Sequence, residues 1–269
     1  MHIVSSVPMN DLLFQVVIPF VLSAAIVIII MFIAERYGTK TGGILGTLPS
    51  TIVIAFIFIA INKDVDFASR SAAVVPAELG INIIFLFLFA LLVHRSTVIA
   101  FTISLTMWAL LSSLIFVFHM ENIFVSLAIY VVSLIFTFIL LERVKKIPSA
   151  SNAKVHYTPT KIAIRGLLAG AIIAIAVSLS NISEILSGIF SVFPAILSST
   201  MLISVREHGP DFAAGLAKSM ILGISSVLVY ATAIHFLYPV YDILLGTISA
   251  YAIAFVLTIT IFKLRGKIR

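Results

Sequence analysis

Apolar residues in this chain form runs of about 20 residues, and this run length limits the possible folds more than any other feature. An α-helix of about 20 residues crosses the roughly 30 Å hydrocarbon core of a bilayer, whereas outer-membrane barrels use alternating segments of about 10 residues. Hydrophobic residues make up 61% of the 269 residues and charged residues only 10%, a composition far from that of soluble domains. The sequence therefore predicts an all-α integral membrane protein.

The runs predict about nine transmembrane helices separated by short polar segments. We place the spans at 12–34, 43–62, 71–94, 97–118, 123–141, 162–180, 186–205, 213–236 and 243–262. The first run is too long for the apolar region of a signal peptide and has no Lys or Arg before it, so we interpret it as a retained span. The basic linker at 142–161 is the one long connection and the candidate division between two halves.

Lys and Arg are unequally divided between the two sides that nine spans define. Of the 17 basic residues, only Lys63 and Arg70 fall on the side of the N-terminus, and the other 15 fall in loops or span ends on the side of the C-terminus. The positive-inside rule then predicts a multi-pass protein of the cell membrane with its N-terminus outside and its C-terminus in the cytoplasm. We expect the cytoplasmic loops to contact anionic lipid, and we expect no nucleic acid as a partner.

The tripeptide Asp-Phe-Ala occurs twice, at 66–68 and 145 residues later at 211–213. With the two copies superimposed, Pro49 aligns with Pro194 and Gly43 with Gly188 without a gap. This spacing predicts a duplicated unit.

The duplication predicts three parts: repeat 1 at 1–122 with spans 1 to 4, span 5 and the basic linker at 123–161, and repeat 2 at 162–269 with spans 6 to 9. Five crossings separate equivalent points, so the copies are expected to be inverted in the membrane. Inverted-topology repeats are a recurrent plan of secondary transporters.

One half-repeat has a recognisable pattern. The stretch "SGIFSVFPAILSSTMLISVREHGPDFAAG" at 187–215 resembles the GlpM family of small membrane proteins, which carry a similar glycine, a Phe-Pro pair, a polar loop with Glu and Gly, and an Ala-rich helix. The resemblance implies that the repeated unit is an old one, and it implies little about activity.

Spans 2 and 7 carry prolines at equivalent positions, each followed by hydroxyl side chains. Proline removes an amide donor, and a helix break inside a bilayer is tolerated only where protein or water satisfies the freed backbone groups. Matching breaks in two repeats point to a substrate site. The candidate residues are Pro49, Ser50, Thr51, Pro194, Ser198 and Ser199. The alternative is that small residues and proline serve only helix packing.

Glu78 is the one acid of eleven that lies well inside a predicted span, and Asn82 follows one turn later on the same face. A carboxyl at this depth is costly unless it is neutral, hydrogen-bonded or facing a polar cavity, so we expect Glu78 and Asn82 to serve coupling or substrate sensing. A structural hydrogen bond is the alternative. Asp66 and Asp211 each precede an apolar helix and are expected to be helix caps or gates at the two mouths.

These features predict a secondary transporter of a small, not heavily charged solute or ion, working by alternating access, with proton coupling at Glu78 as a hypothesis. A channel, a lipid flippase and a non-catalytic membrane scaffold are alternatives. An intramembrane enzyme is less favoured, because no mid-membrane Asp pair and no His-Glu-x-x-His motif is present. The chain has no cysteine and no nucleotide-binding loop, and we expect neither a metal nor a cofactor.

Overall fold

Helices account for nearly all of residues 13–37, 49–141 and 158–267, which are the residues that the computed structural model of the chain describes. A π-helical turn at Leu13–Val17 leads into the first α-helix. The α-helices are α1 (Ile18–Tyr37), α2 (Ser50–Asn62), α3 (Val65–Leu92), α4 (Thr97–Val117), α5 (Ile123–Ile139), α6 (Pro159–Leu179), α7 (Glu184–Ser191), α8 (Ala195–Gly223), α9 (Ser225–Leu237) and α10 (Ile243–Lys267).

Six helical segments in the described part of the chain are long and apolar enough to cross a membrane. They are Gln15–Ile33, Val65–Leu92, Thr97–Val117, Pro159–Leu179, Glu184–Leu237 and Ile243–Thr260. The helices α2 and α5 are apolar but shorter. The prediction of an all-α multi-pass membrane protein is therefore confirmed for the described residues, whereas the count of nine spans is not established by helix length.

Helix α3 lies at the centre of the bundle. Of its 28 residues, 20 are buried, and it packs against α4, α5, α7, α8 and α9. A helix that is apolar all round is expected in this position. In contrast, α4, α5 and α10 expose many Leu, Ile, Val and Phe side chains, which is the surface that a lipid bilayer covers.

Helices α1 and α6 pack side by side and run antiparallel. Asn181 Nδ2, just beyond α6, donates to Gln15 Oε1 at 2.9 Å, and a Cβ added at Gly170 would come 2.6 Å from the carbonyl oxygen of Phe20. One turn earlier on α6, a Cβ on Gly166 would meet the Ile28 side chain. The two glycines therefore form a face that allows a close helix pair.

The second half of α8 and the following α9 run antiparallel to α3. The Ser69 hydroxyl donates to the carbonyl oxygen of His235 at 2.7 Å. At the other end of the pair, His94 Nε2 lies 2.8 Å from Asp211 Oδ1. The segment from Asp211 to His235 therefore starts beside the C-terminal end of α3 and ends beside its N-terminal end.

Polar contacts between helices collect at two opposite ends of the bundle. At the first, which we call the Arg70 end, Arg70 Nε donates to Glu184 Oε2 at 2.6 Å and Asn62 Nδ2 donates to Ser180 Oγ at 2.6 Å. At the second, the Asp211 end, His94 pairs with Asp211 and Lys161 pairs with Glu207. Each of these contacts joins segments that the charge pattern assigns to the same side of the membrane.

The structure corrects two details of the predicted spans. Helix α3 begins at Val65, not at 71, and its N-cap is Asp64, whose Oδ1 accepts from the Phe67 amide at 2.7 Å. Asp66 therefore lies inside the first turn and is not the cap. The predicted span at 186–205 is not one helix, because α7 ends at Ser191 and α8 begins at Ala195.

The two ends can be tested by labelling, because the chain has no native cysteine. We expect cysteines placed singly at Asp64 and Glu184 to react with a membrane-impermeant maleimide from one side of a sealed vesicle. Cysteines at His94 and Asp211 should react only from the other side, because the backbone between the two groups crosses the bundle. Labelling of Asp64 and Asp211 from the same side would contradict this arrangement.

Candidate functional site

The chain is interrupted between α7 and α8 at residues 192–194. Val192 leaves helical geometry with φ −124° and ψ 23°, and Pro194 supplies no amide donor at the point where α8 starts. The interruption lies between two apolar helical segments, so its backbone groups need partners from within the protein. The break predicted at Pro194 is present.

Asn82 on α3 supplies the partner for one of these groups. Its side-chain Nδ2 donates to the carbonyl oxygen of Val192 at 2.8 Å. A carbonyl can only accept, so the amide nitrogen of Asn82 must face Val192 and the amide oxygen must face away. Asn82 is 2% exposed, and Oδ1 has no hydrogen-bond partner.

A cavity of about 420 Å³ lies beside the break. One side of it is formed by the break and the first turn of α8, and another by the start of α2, where Pro49, Ser50 and Thr51 line the wall. Asn82 projects from α3, and Ser219 from the second half of α8. Most of the remaining wall is aliphatic, with Ile52, Leu79, Ile172, Ile173, Leu216, Met220, Ile224 and Val227.

The start of α2 matches the start of α8. Helix α2 begins at Ser50 directly after Pro49, and no side chain caps it. Residues 38–48, which include Gly43, lie outside the described residues. Two helix N-termini that are equivalent in the proposed duplication therefore border one cavity.

Glu78 is fully buried one turn before Asn82, and it does not line the cavity. The Ser112 hydroxyl on α4 lies 2.9 Å and 3.0 Å from its two carboxyl oxygens. The indole nitrogen of Trp108, also on α4, is near the same carboxyl but is buried without a hydrogen-bond partner. Among the residues whose side-chain burial the structure describes, Glu78 is the only buried acid.

A chain of aromatic contacts runs from the surroundings of Glu78 to the cavity. The rings of Trp108 and Phe193 meet edge to face with centroids 4.7 Å apart, and Phe190 stacks on Phe193 at 5.9 Å. Phe193 belongs to the break and lines the cavity. A movement of the break would therefore move the ring that touches Trp108, and with it the surroundings of Glu78.

The structure brings some of the predicted site residues together and leaves others apart. Pro49, Ser50, Thr51 and Asn82 line the cavity. Ser198 and Ser199 lie one turn into α8 and do not line it; Ser199 donates to the carbonyl oxygen of Ile196 at 3.0 Å.

The aspartates predicted as caps or gates differ from each other. The side chain of Asp211 is 92% exposed and contacts His94 just beyond α3, so it lies at one mouth of the bundle. Asp66 lies in the first turn of α3, after the Asp64 cap.

Sequence reasoning missed Ser112, Phe193 and Ser219. Ser112 and Ser219 gave no signal, because hydroxyls in apolar helices commonly bond to the helix backbone, as Ser219 does to the Gly215 carbonyl. Phe193 had a usable signal, because it stands directly before the proline of a predicted break.

The described residues contain no group of three or more His, Cys, Asp or Glu side chains that could hold a metal ion. No protein-family model, no curated protein and no solved structure matches this chain.

The bond from Asn82 to the break can be tested by comparing two asparagines. We expect Asn82→Ala to lower the stability of the protein in detergent by about 1–3 kcal/mol, because it leaves the part-buried Val192 carbonyl without a donor. Asn181→Ala removes the same group from an exposed position and should cost less than about 0.5 kcal/mol. Thermal unfolding of the two purified variants measures the difference, and equal losses would show that the break does not depend on Asn82.

Proposed function

We propose that this protein is a secondary transporter built from two inverted repeats, in which the cavity at the α7–α8 break is the solute site. The observation that carries the proposal is the convergence of two helix starts, at Ser50 and Ala195, on that single cavity. In secondary transporters, interrupted helices at equivalent positions of two repeats form the solute site, and the repeats rock around it.

The helix boundaries support the duplication. Shifting α2 by the 145 residues that separate Asp66 from Asp211 gives 195–207, which is the first part of α8 up to its kink at Gly209. The same shift of α3 gives 210–237, which runs from the residue after the kink to the last residue of α9. Shifted α4 begins one residue before α10. These recurring helix boundaries support the duplication, although α3 is continuous where its counterpart is interrupted between Gly223 and Ser225.

The packing directions support the inversion. Helix α1 corresponds to α6 under the same shift, and the two run antiparallel with Gln15 beside Asn181. Helix α3 also runs antiparallel to its counterpart, the second half of α8 with α9. Nine crossings, with spans 1 to 4 and 6 to 9 as the two repeats, account for both relations, and the basic loops then lie in the cytoplasm.

The two ends of the bundle suit the gates of an alternating-access cycle. At the Arg70 end, Ser69 and His235 join α3 to α9, and at the Asp211 end, His94 joins α3 to the second half of α8 through Asp211. Both sets of contacts link repeat 1 to repeat 2. Each is a small polar contact that rocking of the repeats can open while the other stays closed.

Glu78 is the proposed coupling group. It is buried beside Trp108, whose ring contacts Phe193 of the break, so its protonation and the position of the break can influence each other through these rings. Its counterpart in repeat 2 is Gly223, where α8 ends before α9. The carboxyl therefore makes the two repeats chemically different, as proton coupling in one half requires.

A lipid flippase is the second candidate, because the wall of the cavity is mostly aliphatic. It is less favoured, since the polar groups of the cavity, Asn82, Ser50, Thr51 and Ser219, lie together with two helix starts, which suits a small solute.

Alternating access can be tested without knowing the solute. A single cysteine at Ser219 reports on the cavity, and a short thiol cross-linker joining cysteines at Ser69 and His235 locks the Arg70 end. We expect this lock to leave the reporter reactive only from the side of the Asp211 end. The matched lock, between His94 and Asp211, should leave it reactive only from the opposite side.

The control for both locks is the reporter with each single gate cysteine and the same cross-linker, which should react as the unlocked protein does. A scaffold would give the same reactivity with either lock. That result, measured as the rate of maleimide labelling in sealed vesicles of known orientation, would refute the alternating-access proposal.

The role of Glu78 requires a flux measurement in proteoliposomes. We expect Glu78→Gln to abolish accumulation driven by a pH gradient and to retain exchange of solute at equal pH, because the amide keeps the shape and the bond with Ser112 but cannot release a proton. Ser112→Ala, which leaves the carboxyl in place, is the control and should keep pH-driven accumulation. Undiminished proton-driven uptake by the Gln variant would make Glu78 a structural group.

A further inference from the structure

Trp108 is the only tryptophan of the chain, and its indole nitrogen is buried without a hydrogen-bond partner. An indole N–H can only donate, and a buried donor left unpaired is destabilising, so its place in the bundle needs a physical reason. Trp108 lies one turn before Ser112 on the buried face of α4. The acceptor near its indole nitrogen is the carboxyl of Glu78.

The carboxyl of Glu78 has one hydrogen-bonded partner among the described residues, the Ser112 hydroxyl, at 2.9 Å and 3.0 Å from its two oxygens. A protonated carboxyl is neutral, and one hydroxyl satisfies it by accepting its O–H or by donating to its carbonyl oxygen. An ionised carboxylate only accepts, and in a buried site it is strongly destabilised unless several donors surround it. The observed contacts therefore suit the protonated form, and the ionised form needs a second donor.

Ionisable side chains elsewhere in the bundle do not supply that donor. On α3 itself they are Asp66 and Arg70, and the described parts of α2 and α4 carry none. The other helices packed against α3 carry Tyr130 on α5, Glu184 on α7, Arg206, Glu207, His208, Asp211 and Lys218 on α8, and Tyr230 and His235 on α9. Among all the described side chains, only Ser112 and Trp108 act on the carboxyl of Glu78. The second donor is therefore the indole of Trp108.

The indole also contacts the two phenylalanines on either side of Val192. Its ring meets Phe193 edge to face with centroids 4.7 Å apart, and it meets Phe190 edge to face at 6.3 Å. Phe190 belongs to the last turn of α7 and Phe193 to the break. Because protein interiors are close-packed, an indole that turns toward the carboxylate changes both ring contacts. A change at Glu78 can thus reach the segment between α7 and α8.

We propose that Trp108 is a positioning residue for Glu78. Its indole N–H becomes the second donor to the carboxylate when the proton leaves, and the turn of the ring shifts the α7–α8 break. On release, the O–H bond of the carboxyl breaks, the electron pair stays on oxygen, and the proton passes to water admitted when the bundle opens. This assignment deepens the coupling role proposed for Glu78 and rests on it, and it is measured without any solute.

The single tryptophan allows a direct spectroscopic test on the full chain in lipid nanodiscs. Ultraviolet resonance Raman detects whether the indole N–H is hydrogen-bonded, and fluorescence detects a charge beside it. As the pH is raised, we expect the N–H of the wild-type protein to change from free to hydrogen-bonded. The emission should move to longer wavelength, because a negative charge at the pyrrole nitrogen stabilises the excited indole.

Two matched substitutions identify the group that titrates. Glu78→Gln should remove both pH-dependent changes, because the amide cannot ionise. Glu121→Gln makes the same substitution in the connection between α4 and α5 and should keep both changes. An indole signal that does not vary with pH in the wild-type protein would overturn the proposal, and so would a change that persists in Glu78→Gln.

Trp108→Phe separates the N–H donor from the aromatic ring. The smaller ring loses packing, which lowers the unfolding temperature equally at every pH. Loss of the donor matters only when Glu78 is ionised, so we expect the decrease relative to the wild-type protein to grow as the pH rises. In the Glu78→Gln background the decrease should be the same at every pH. A pH-independent decrease in the wild-type background would leave Trp108 as a packing residue and overturn its role.

The shift of the break is measured at Phe193. A single para-fluorophenylalanine at this position gives one fluorine resonance, which depends on the contact with the indole. We expect it to move with pH over the same range as the indole signal, and to stay fixed in Glu78→Gln. A fixed resonance beside a changing indole signal would overturn transmission to the break.

The outcomes separate this inference from the proposed function. A pH-dependent indole bond with no difference in cavity labelling between the two gate locks would support the role of Trp108 and refute the transporter. Alternating labelling with an indole signal that is constant in pH would support the transporter and refute the role of Trp108.

Discussion

The hydrogen bond from Asn82 to the carbonyl of Val192 is the contact on which the candidate site depends. An interrupted helix between apolar segments leaves carbonyls and amides without their helical partners, and in a bilayer no water replaces them. Local bonds satisfy the carbonyls of Gly188, Ile189, Phe190 and Phe193, but the carbonyl of Val192 accepts from a group on another helix. The most buried helix, α3, supplies it, which fixes the break against the centre of the bundle and leaves the amides of α8 open beside the cavity.

The same helix connects the other polar features. Glu78 lies one turn from Asn82 on α3. Near the start of α3, Ser69 bonds to His235 and Arg70 to Glu184, and just beyond its end His94 meets Asp211. Each of these contacts crosses from repeat 1 to repeat 2 in the proposed duplication. Movement of repeat 2 relative to α3 would therefore change both ends and the cavity together, which is the mechanical requirement of alternating access.

In the proposed transporter, the asymmetry between the two proposed repeats has a physical use. If both copies were identical, each state of the cycle would have the same free energy as its inverted counterpart. A buried carboxyl in one copy and Gly223 at the equivalent position in the other remove that degeneracy. Trp108 and Phe193 then connect the carboxyl to the break by direct ring contact.

The sequence by itself determined the helical class, the membrane environment and the position of the break at Pro194, because run length and proline act through local backbone geometry. It also placed Glu78 and Asn82 on one face of a helix by their spacing. It did not identify Asp64 as the cap of α3, since Asp64 and Asp66 both suit a helix start and only the bond with Phe67 distinguishes them. Tertiary structure alone decided that Asn82 meets Val192, 110 residues away along the chain, and that Glu78 faces Ser112 and not the cavity. Such pairings depend on how whole helices pack, and no local pattern in an apolar sequence encodes them.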